Sequence, residues 1–515
     1  MNKLLKHIVL PAVLCVFVGY HSYAQNKPLI LKYNSFKHYV DYFNKMEDEN
    51  IKQAIPNDSA SDWMQKNIPL FECPQQNFEE IFYFRWWTLR KHIKKTEKGF
   101  VFTEFLIQRT YADKYNLIAS ALGHHIYESR WLHDKKYMDD NLHVWYRGNE
   151  GKPMKKLRFY SSWNMDAIYN RYLVNNDKKF VVDLLPDLEN DYAEWEKEKK
   201  SGNGLYWQYD VRDAMEETIS GGRKEKNPRP SINGYMFGNA VALDKINLLT
   251  GNGRKAFEYR VKADLIKTSL QSKLWNTNHN LFEVRKEQGD TLANVKEEIG
   301  FIPWYFNMPD SNYSIAWKSL IDTKIFCAPF GITTADRSHP QFRTHGCCKC
   351  EWDGAVWPFA TSQTLTAMAN LLNNYKQGYV ADSNYFSLLN TYVESQYYRG
   401  RPYIGEYLDE KTGYWLKGDE ERSRYYNHST FNDLIITGLV GLRPRADDTI
   451  EVHPLLPANK WDWFCLDNVL YHGKIITIVW DKTGLKYKKG KGLSVFVNGK
   501  RIAVSERLER ITGKL

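Results

Sequence analysis

The chain is short of several things that would have pointed elsewhere. Its 515 residues contain 7 cysteines, and only Cys347 and Cys350 stand at Cys-x-x-Cys spacing. A structural zinc site usually needs such pairs at two places, so no structural zinc site of that kind is expected. One long apolar run occurs, at the extreme N-terminus, which excludes a protein crossing a membrane many times. No short internal repeat shows. Charge of one sign never accumulates: the formal charge is +10, and the runs around Lys91–Lys95 and Lys486–Lys491 are short. They read as solvated faces, so nucleic acid is not an expected partner, whereas anionic sugars are compatible with the charge. Hydrophobic residues at 43% and charged residues at 26% exclude disorder, collagen and coiled coil as the main state.

Aromatic residues, in contrast, are abundant: 15% of the chain, with 17 Trp and 34 Tyr. Their flat apolar faces and polar edges suit the C–H faces and hydroxyl rims of sugars. The N-terminus has the pattern of a secretory signal: Lys3 and Lys6, an apolar stretch from Ile8 to Tyr20, and Ser22-Tyr23-Ala24 before Gln25. Leu14 precedes Cys15 where a lipoprotein signal wants a small residue, so cleavage after Ala24 is expected, with export to the periplasm or medium and no membrane insertion afterwards. Cleavage would remove Lys3 and Lys6 and leave a formal charge of +8. The six cysteines that follow permit disulfides without requiring them, and His345-Gly346-Cys347-Cys348-Lys349-Cys350 is a candidate for a soft-metal site, a disulfide or pocket-lining thiols. No cofactor is called for.

Residues 25–74 read as an N-terminal extension. Residues 75–445 carry apolar residues at helical spacing, as in Tyr111–Tyr127, Ala240–Leu249, Ala256–Leu274, Thr361–Leu372 and Leu388–Tyr397. After Arg443-Pro444-Arg445 the character changes. Thr449–His453, Lys474–Trp480 and Leu493–Asn498 are β-branched and roughly alternating, and Asn498-Gly499 is a hairpin signal, so residues 446–515 are expected to form a small antiparallel sheet packed on the helical part.

Four polar-aromatic stretches could carry chemistry. The first, Ser161–Tyr169, holds Trp163 and Asp166 at the opening of a helix. The second, Gly204–Glu216, holds Trp207, Arg212 and three carboxylates, Asp210, Asp213 and Glu216. Such crowding raises one carboxyl pKa and leaves another ionised, as a general acid requires. The third, Glu351–Thr361, holds Trp352, Asp353 and Trp357. The fourth places Glu406 and Tyr407 after Gly405, followed by Tyr425–Asp433 with Tyr426, Asn427 and His428.

In this order on a helical chain, the four stretches resemble the six-hairpin glycosidases, the (α/α)6-barrel clan of trehalases, processing α-glucosidase I and mannosylglycerate hydrolase. In that clan a Trp-Asp-x-Tyr-like loop precedes a Gly-(Trp/Met)-Asp loop with the general acid. A Trp-x-Gly-x-x-Trp loop and a Glu-Tyr-x-(Asp/Asn)-x-x-Thr-Gly loop with the general base follow. Trp163–Tyr169 is similar to the first, Trp352–Trp357 to the third, and Glu406–Gly413 matches the fourth closely. The resemblance implies a mainly α fold, an (α/α)6 toroid with an appended β segment, acting as an inverting hydrolase of an α-linked glycoside. Glu406 would be the base. The second loop departs from the clan's pattern, leaving Asp210, Asp213 and Glu216 eligible as the acid; Arg212 and the downstream Ser231–Tyr235 favour Asp213. Trp163, Asp166, Trp207, Arg212, Trp352, Asp353, Trp357, Tyr407, Tyr426 and His428 are the expected sugar contacts. A polysaccharide lyase using Tyr426, Asn427 and His428, or a non-catalytic glycan-binding protein, are the alternatives.

Overall fold

The computed structural model describes residues 29–344 and 350–515; the expected signal peptide and the stretch His345–Lys349 lie outside the described residues. Helices dominate up to residue 395. After α1 (Lys37–Asn44) and α2 (Ala60–Asn67) come α3 (Gln76–Lys91), α4 (Leu122–Ser129), α5 (Lys136–Arg147), α6 (Asn164–Asn175) and α7 (Lys178–Lys199). Then follow α8 (Pro230–Leu249), α9 (Gly253–Lys273), the short α10 (Ile302–Tyr305) and α11 (Trp317–Leu320), α12 (Pro358–Asn374) and α13 (Asp382–Ser395). A proline at the first helical position starts α8 and α12, where its missing N–H costs nothing.

The helices divide by burial. Helix α8 is apolar almost all round and packs on α6, α7, α9 and α10, as an interior helix must. Helix α9 is outward-facing; Asn252 caps it and Phe257, Val261 and Leu265 are left exposed. Helix α4 contacts α6, α6 contacts α8, α8 contacts α10, and α10 contacts α12. Contact between α4 and the start of α6 depends on Gly123, where a Cβ would stand 2.3 Å from the Trp163 indole.

Small strands tie the connecting loops. Strand β1 (Leu70–Glu72) precedes the hairpin of β2 (Ile93–Thr96) and β3 (Gly99–Phe102). Two-residue pairs follow: β4–β5 (Trp207–Gln208, Asn227–Pro228), β6–β7 (Trp275–Asn276, Leu281–Phe282), β8–β9 (Cys327–Ala328, Gly331–Ile332) and β10–β11 (Tyr397–Tyr398, Arg401–Pro402).

The C-terminal part is antiparallel sheet. Strands β12 (Leu442–Arg443), β13 (Thr449–Val452) and β18 (Ile511–Lys514) form one ladder. Strands β14 (Trp463–Tyr471), β15 (Lys474–Asp481), β16 (Gly492–Val497) and β17 (Lys500–Ser505) form another, in the order β1-β14-β15-β16-β17. Asn498 and Gly499 turn the β16–β17 hairpin with φ of 48° and 82°, the left-handed pair that a two-residue turn demands. Strand β1, which lies between α2 and α3, thus joins the edge of this sheet, pairing Leu70 with Asp467. The Asp467 carboxylate also accepts the N–H groups of Leu29, Ile30 and Leu31.

Two elements differ from the sequence reading. Helical spacing over Tyr111–Tyr127 predicts a helix, but the chain becomes α-helical only at Leu122. Asn116 accepts the Arg109 N–H and donates to the Phe105 and Ile107 carbonyls, which folds that stretch into a compact loop instead. Strand β14 has no alternation to betray it, because both its faces are buried.

Candidate active site

A cavity of about 500 Å³ opens where the connecting loops converge. Its aromatic wall comes from Tyr160, Trp352, Trp357 and Phe359, and its carboxyls are Glu104, Glu216 and Glu406. Arg212, Arg223, Lys417 and Arg422 supply the cations.

The loop with Glu406 is a local device. Asp409 accepts the N–H groups of Lys411 and Thr412 and the Thr412 hydroxyl, and Gly413 closes the turn at φ 70°. Arg343 joins Asp409 and Glu410 to Glu351, tying the fourth loop to the third. Val356 and Leu408 exchange backbone hydrogen bonds, and Trp352, Trp357 and Tyr407 form a continuous stack with 4.6 Å between successive rings. Glu406 itself is buried, 3.2 Å from Lys417 Nζ and 3.4 Å from an Arg422 guanidinium nitrogen.

The loop with Tyr426 and His428 is held from behind. Arg85 donates to the Ser429 carbonyl, and the Glu128 carboxylate accepts the N–H groups of Phe431, Asn432 and Asp433. Tyr426 meets His428 edge-on at 3.9 Å, and burial keeps the His428 imidazole far below its ordinary pKa and neutral. Cys350, on the same wall, is pushed up to about 12 by burial and by the Glu216 and Glu406 charges.

The three second-loop carboxylates part company. Asp213 is fully buried, accepts from Arg229 Nε at 2.9 Å and from the Ser231 hydroxyl, and does not line the cavity. Asp210 is also buried and accepts the Val211 N–H at the start of a short 3₁₀ turn. Glu216 faces the cavity. Burial, followed by the negative charges of Glu406 and Asp210, pushes it up to about 7. Its loop is unusual in conformation: Ala214 and Glu217 have φ of 59° and 69°, a region that favours glycine.

Of the expected sugar contacts, Arg212, Trp352, Trp357, Tyr426 and His428 line the cavity. The others are placed elsewhere. Trp163 is core, packed against His124 and Tyr235. Asp166 accepts from the Tyr127 hydroxyl at 2.7 Å and faces a separate cavity of about 260 Å³; burial pushes it up to about 7. Trp207 lies under Lys199 and Lys226, whose ammonium groups sit 4.1 and 5.1 Å from the ring. Asp353 is fully buried, and Tyr407 backs Trp357 without lining the cavity.

Glu104 has no counterpart among the expected residues. It follows β3, accepts from the Tyr426 and Ser120 hydroxyls, and is pushed up to about 8 by burial and by its carboxylate neighbours Glu406 and Glu216. Nothing around it in the sequence forms a motif. Of the cysteines, Cys73, Cys327, Cys350 and Cys465 are free thiols. Among the described residues no group of three or more His, Cys, Asp or Glu is placed to hold a metal, and no helix is long and apolar enough to cross a membrane.

A helix-rich body, a trailing antiparallel sheet and a carboxyl-lined cavity under polar-aromatic loops are those of the six-hairpin glycosidase type. Residues 114–429 match the family described as the mannosylglycerate hydrolase MGH1-like glycoside hydrolase domain, and the chain belongs to that family. Residues 442–504 match the C-terminal domain of glycosyl hydrolase family 65. Among solved structures, a protein titled sialidase is 62% identical, with a TM-score of 0.93 over 94% of this chain; the chain spans 45% of that protein's length. The GH63 mannosylglycerate hydrolase of Thermus thermophilus, in complex with glucose, shares the fold at 11% identity, with a TM-score of 0.52 over 69% of this chain and 99% of its own. An α-L-rhamnosidase from Dictyoglumus thermophilum does so at 12% identity, with a TM-score of 0.55 over 87% of this chain and 49% of its own.

Proposed function

We propose that this protein is an exported glycoside hydrolase that cleaves an α-linked glycoside by single displacement with inversion, with Glu216 as general acid and Glu406 as general base. The observation that carries the reading is the contrast between two carboxyls facing one cavity. Glu406 lies between Lys417 and Arg422, while Glu216 has no ion-pair partner among the described residues and is pushed up to about 7. Environments that separate two carboxyls in this way separate their roles. A protonated Glu216 donates to the leaving oxygen, and Glu406 takes a proton from water on the opposite face of the sugar. Asp213, consumed by Arg229, is left with a structural part.

The succession of contacts from α4 through α6, α8 and α10 to α12 supports reading these as the inner ring of an (α/α)6 toroid, with α9 on the outside. The Trp352–Trp357 stack supplies a flat apolar platform for a sugar face. A substrate with a carboxylate is a second reading, favoured by Arg212: its guanidinium lies 3.3 Å over the Phe159 ring at the cavity wall, with no acidic ion-pair partner among the described residues.

Proton NMR of the mature protein with α-linked gluco-, manno- and galacto-oligosaccharides tests the reading. Initial release of a β-anomer, abolished in Glu406→Gln, is the expected result. Initial α-anomer would refute inversion, and turnover untouched by the mutation would remove Glu406 from its role. An unsaturated, ultraviolet-absorbing product would make the protein a lyase, and binding without turnover by the parent a glycan-binding protein.

A further inference from the structure

We infer that Glu104 contacts the substrate in this cavity and selects for one of its hydroxyl groups; the inference rests on the glycosidase reading above. Glu104 lies outside residues 114–429, the segment that matches the family. It is nonetheless built into the same wall. The Asn427 N–H donates to the Glu104 carbonyl at 3.0 Å and the Asn427 side chain to the Thr103 carbonyl at 3.1 Å, lacing the end of β3 to the Tyr426–His428 loop. The Tyr426 hydroxyl donates to Glu104 Oε1 at 2.7 Å, and the Ser120 hydroxyl donates to Oε2 at 3.2 Å. Tyr426 in turn is fixed edge-on against Phe105 at 4.4 Å and His428 at 3.9 Å.

A carboxyl aimed this firmly, in a wall it shares with Glu216 and Glu406, has no ion-pair partner among the described residues. Burial pushes it up to about 8, so it carries a proton at neutral pH. Because both hydroxyls already donate to it, its own O–H is free for an acceptor on the cavity side. A sugar hydroxyl is such an acceptor, and it returns a donor to the same carboxyl. Sites built to hydrogen-bond a hydroxyl reject the analogue that lacks it far more strongly than apolar pockets discriminate.

The test uses methyl α-glycosides of glucose, mannose and galactose together with their monodeoxy analogues. They are titrated calorimetrically into Glu216→Gln, in which turnover is blocked, and into the same protein carrying Glu104→Ala or Glu104→Gln. One deoxy position is expected to cost about tenfold or more in affinity in Glu216→Gln and almost nothing once Glu104→Ala is added, with Glu104→Gln retaining part of the discrimination. Tyr426→Phe, which releases the carboxyl without deleting it, should blunt the same position and covers the case in which Glu104→Ala does not fold. An unchanged deoxy pattern in all variants, or no glycoside bound by Glu216→Gln, overturns the inference. Glu104-dependent discrimination in a parent that hydrolyses nothing would sink the glycosidase reading and leave this one standing.

Discussion

Three carboxyls line one cavity, alike in chemistry and different in their surroundings. Glu406 is met by Lys417 and Arg422. Glu104 is met by two hydroxyls, and Glu216 has no ion-pair partner among the described residues. Three carboxyls of similar intrinsic acidity therefore divide into one beside cations and two that hold their protons to near-neutral pH. The lesson is that burial and neighbouring negative charge, more than residue type, keep the proton on Glu104 and Glu216.

The largest expected effects come from the carboxyls that face each other in role. Glu406→Gln and Glu216→Gln should each lower kcat by about 10²–10⁴-fold on an ordinary glycoside. On a glycosyl fluoride, whose leaving group needs no proton, Glu216→Gln should recover most of its rate and Glu406→Gln should not. Equal recovery in steady-state assays would dissolve the contrast.

A smaller loss should follow from the cationic side alone. Lys417→Met leaves a buried carboxylate short of a partner and should reduce kcat by about 10–100-fold. Arg223→Met should cost under about threefold, because Arg223 pairs with Glu217 rather than with a cavity carboxyl. A rate profile over pH sharpens the other side: with Glu216 at about 7, kcat should fall as pH rises past that value and the acid is lost. A rate that stays flat to pH 9 would take Glu216 out of the acid role.

Stability should respond to Glu104 with a definite sign. Its folded pKa, about 8, is raised above the ordinary carboxyl value, so the folded state holds a proton that the unfolded chain releases. Stability is then lost as pH rises from about 4.5 to about 8. Glu104→Gln has no such loss, and its melting temperature should gain on the parent by a few degrees between pH 5 and pH 8. A constant difference across that window would contradict the protonated state. The smallest effect is expected from Trp207→Phe: with its ring covered by Lys199 and Lys226, kcat/KM should stay within about twofold, a change of under about 0.5 kcal/mol.

Glu406 stood out in the sequence because Glu406–Gly413 matches the fourth loop of the clan; the turn that presents it is made by Asp409, Thr412 and Gly413. Glu216 was visible only as one of three. Arg212 and Ser231–Tyr235 favour Asp213 in the sequence; the Ser231 hydroxyl does donate to it, but the arginine that captures it is Arg229, brought in by the start of α8. Ala214 at φ 59° also hid the turn, since alanine gives no sign of a left-handed backbone. Trp163 and Trp207 looked the same in sequence as Trp352 and Trp357, and only packing against Gly123 or under lysines distinguishes them.

What the order of residues settled unaided is what a few bonds of chain can enforce, as in the Asn498-Gly499 turn between β16 and β17. Such a turn depends on hydrogen bonds and backbone angles within a few residues of chain. Which carboxyl meets a cation and which meets a hydroxyl was decided in three dimensions. Tyr426 reaches Glu104 across 322 positions, and Phe431 reaches Glu128 across 303. Electrostatic neighbours act through space at a few ångströms, and no spacing along the chain encodes which residues the folded body brings that close.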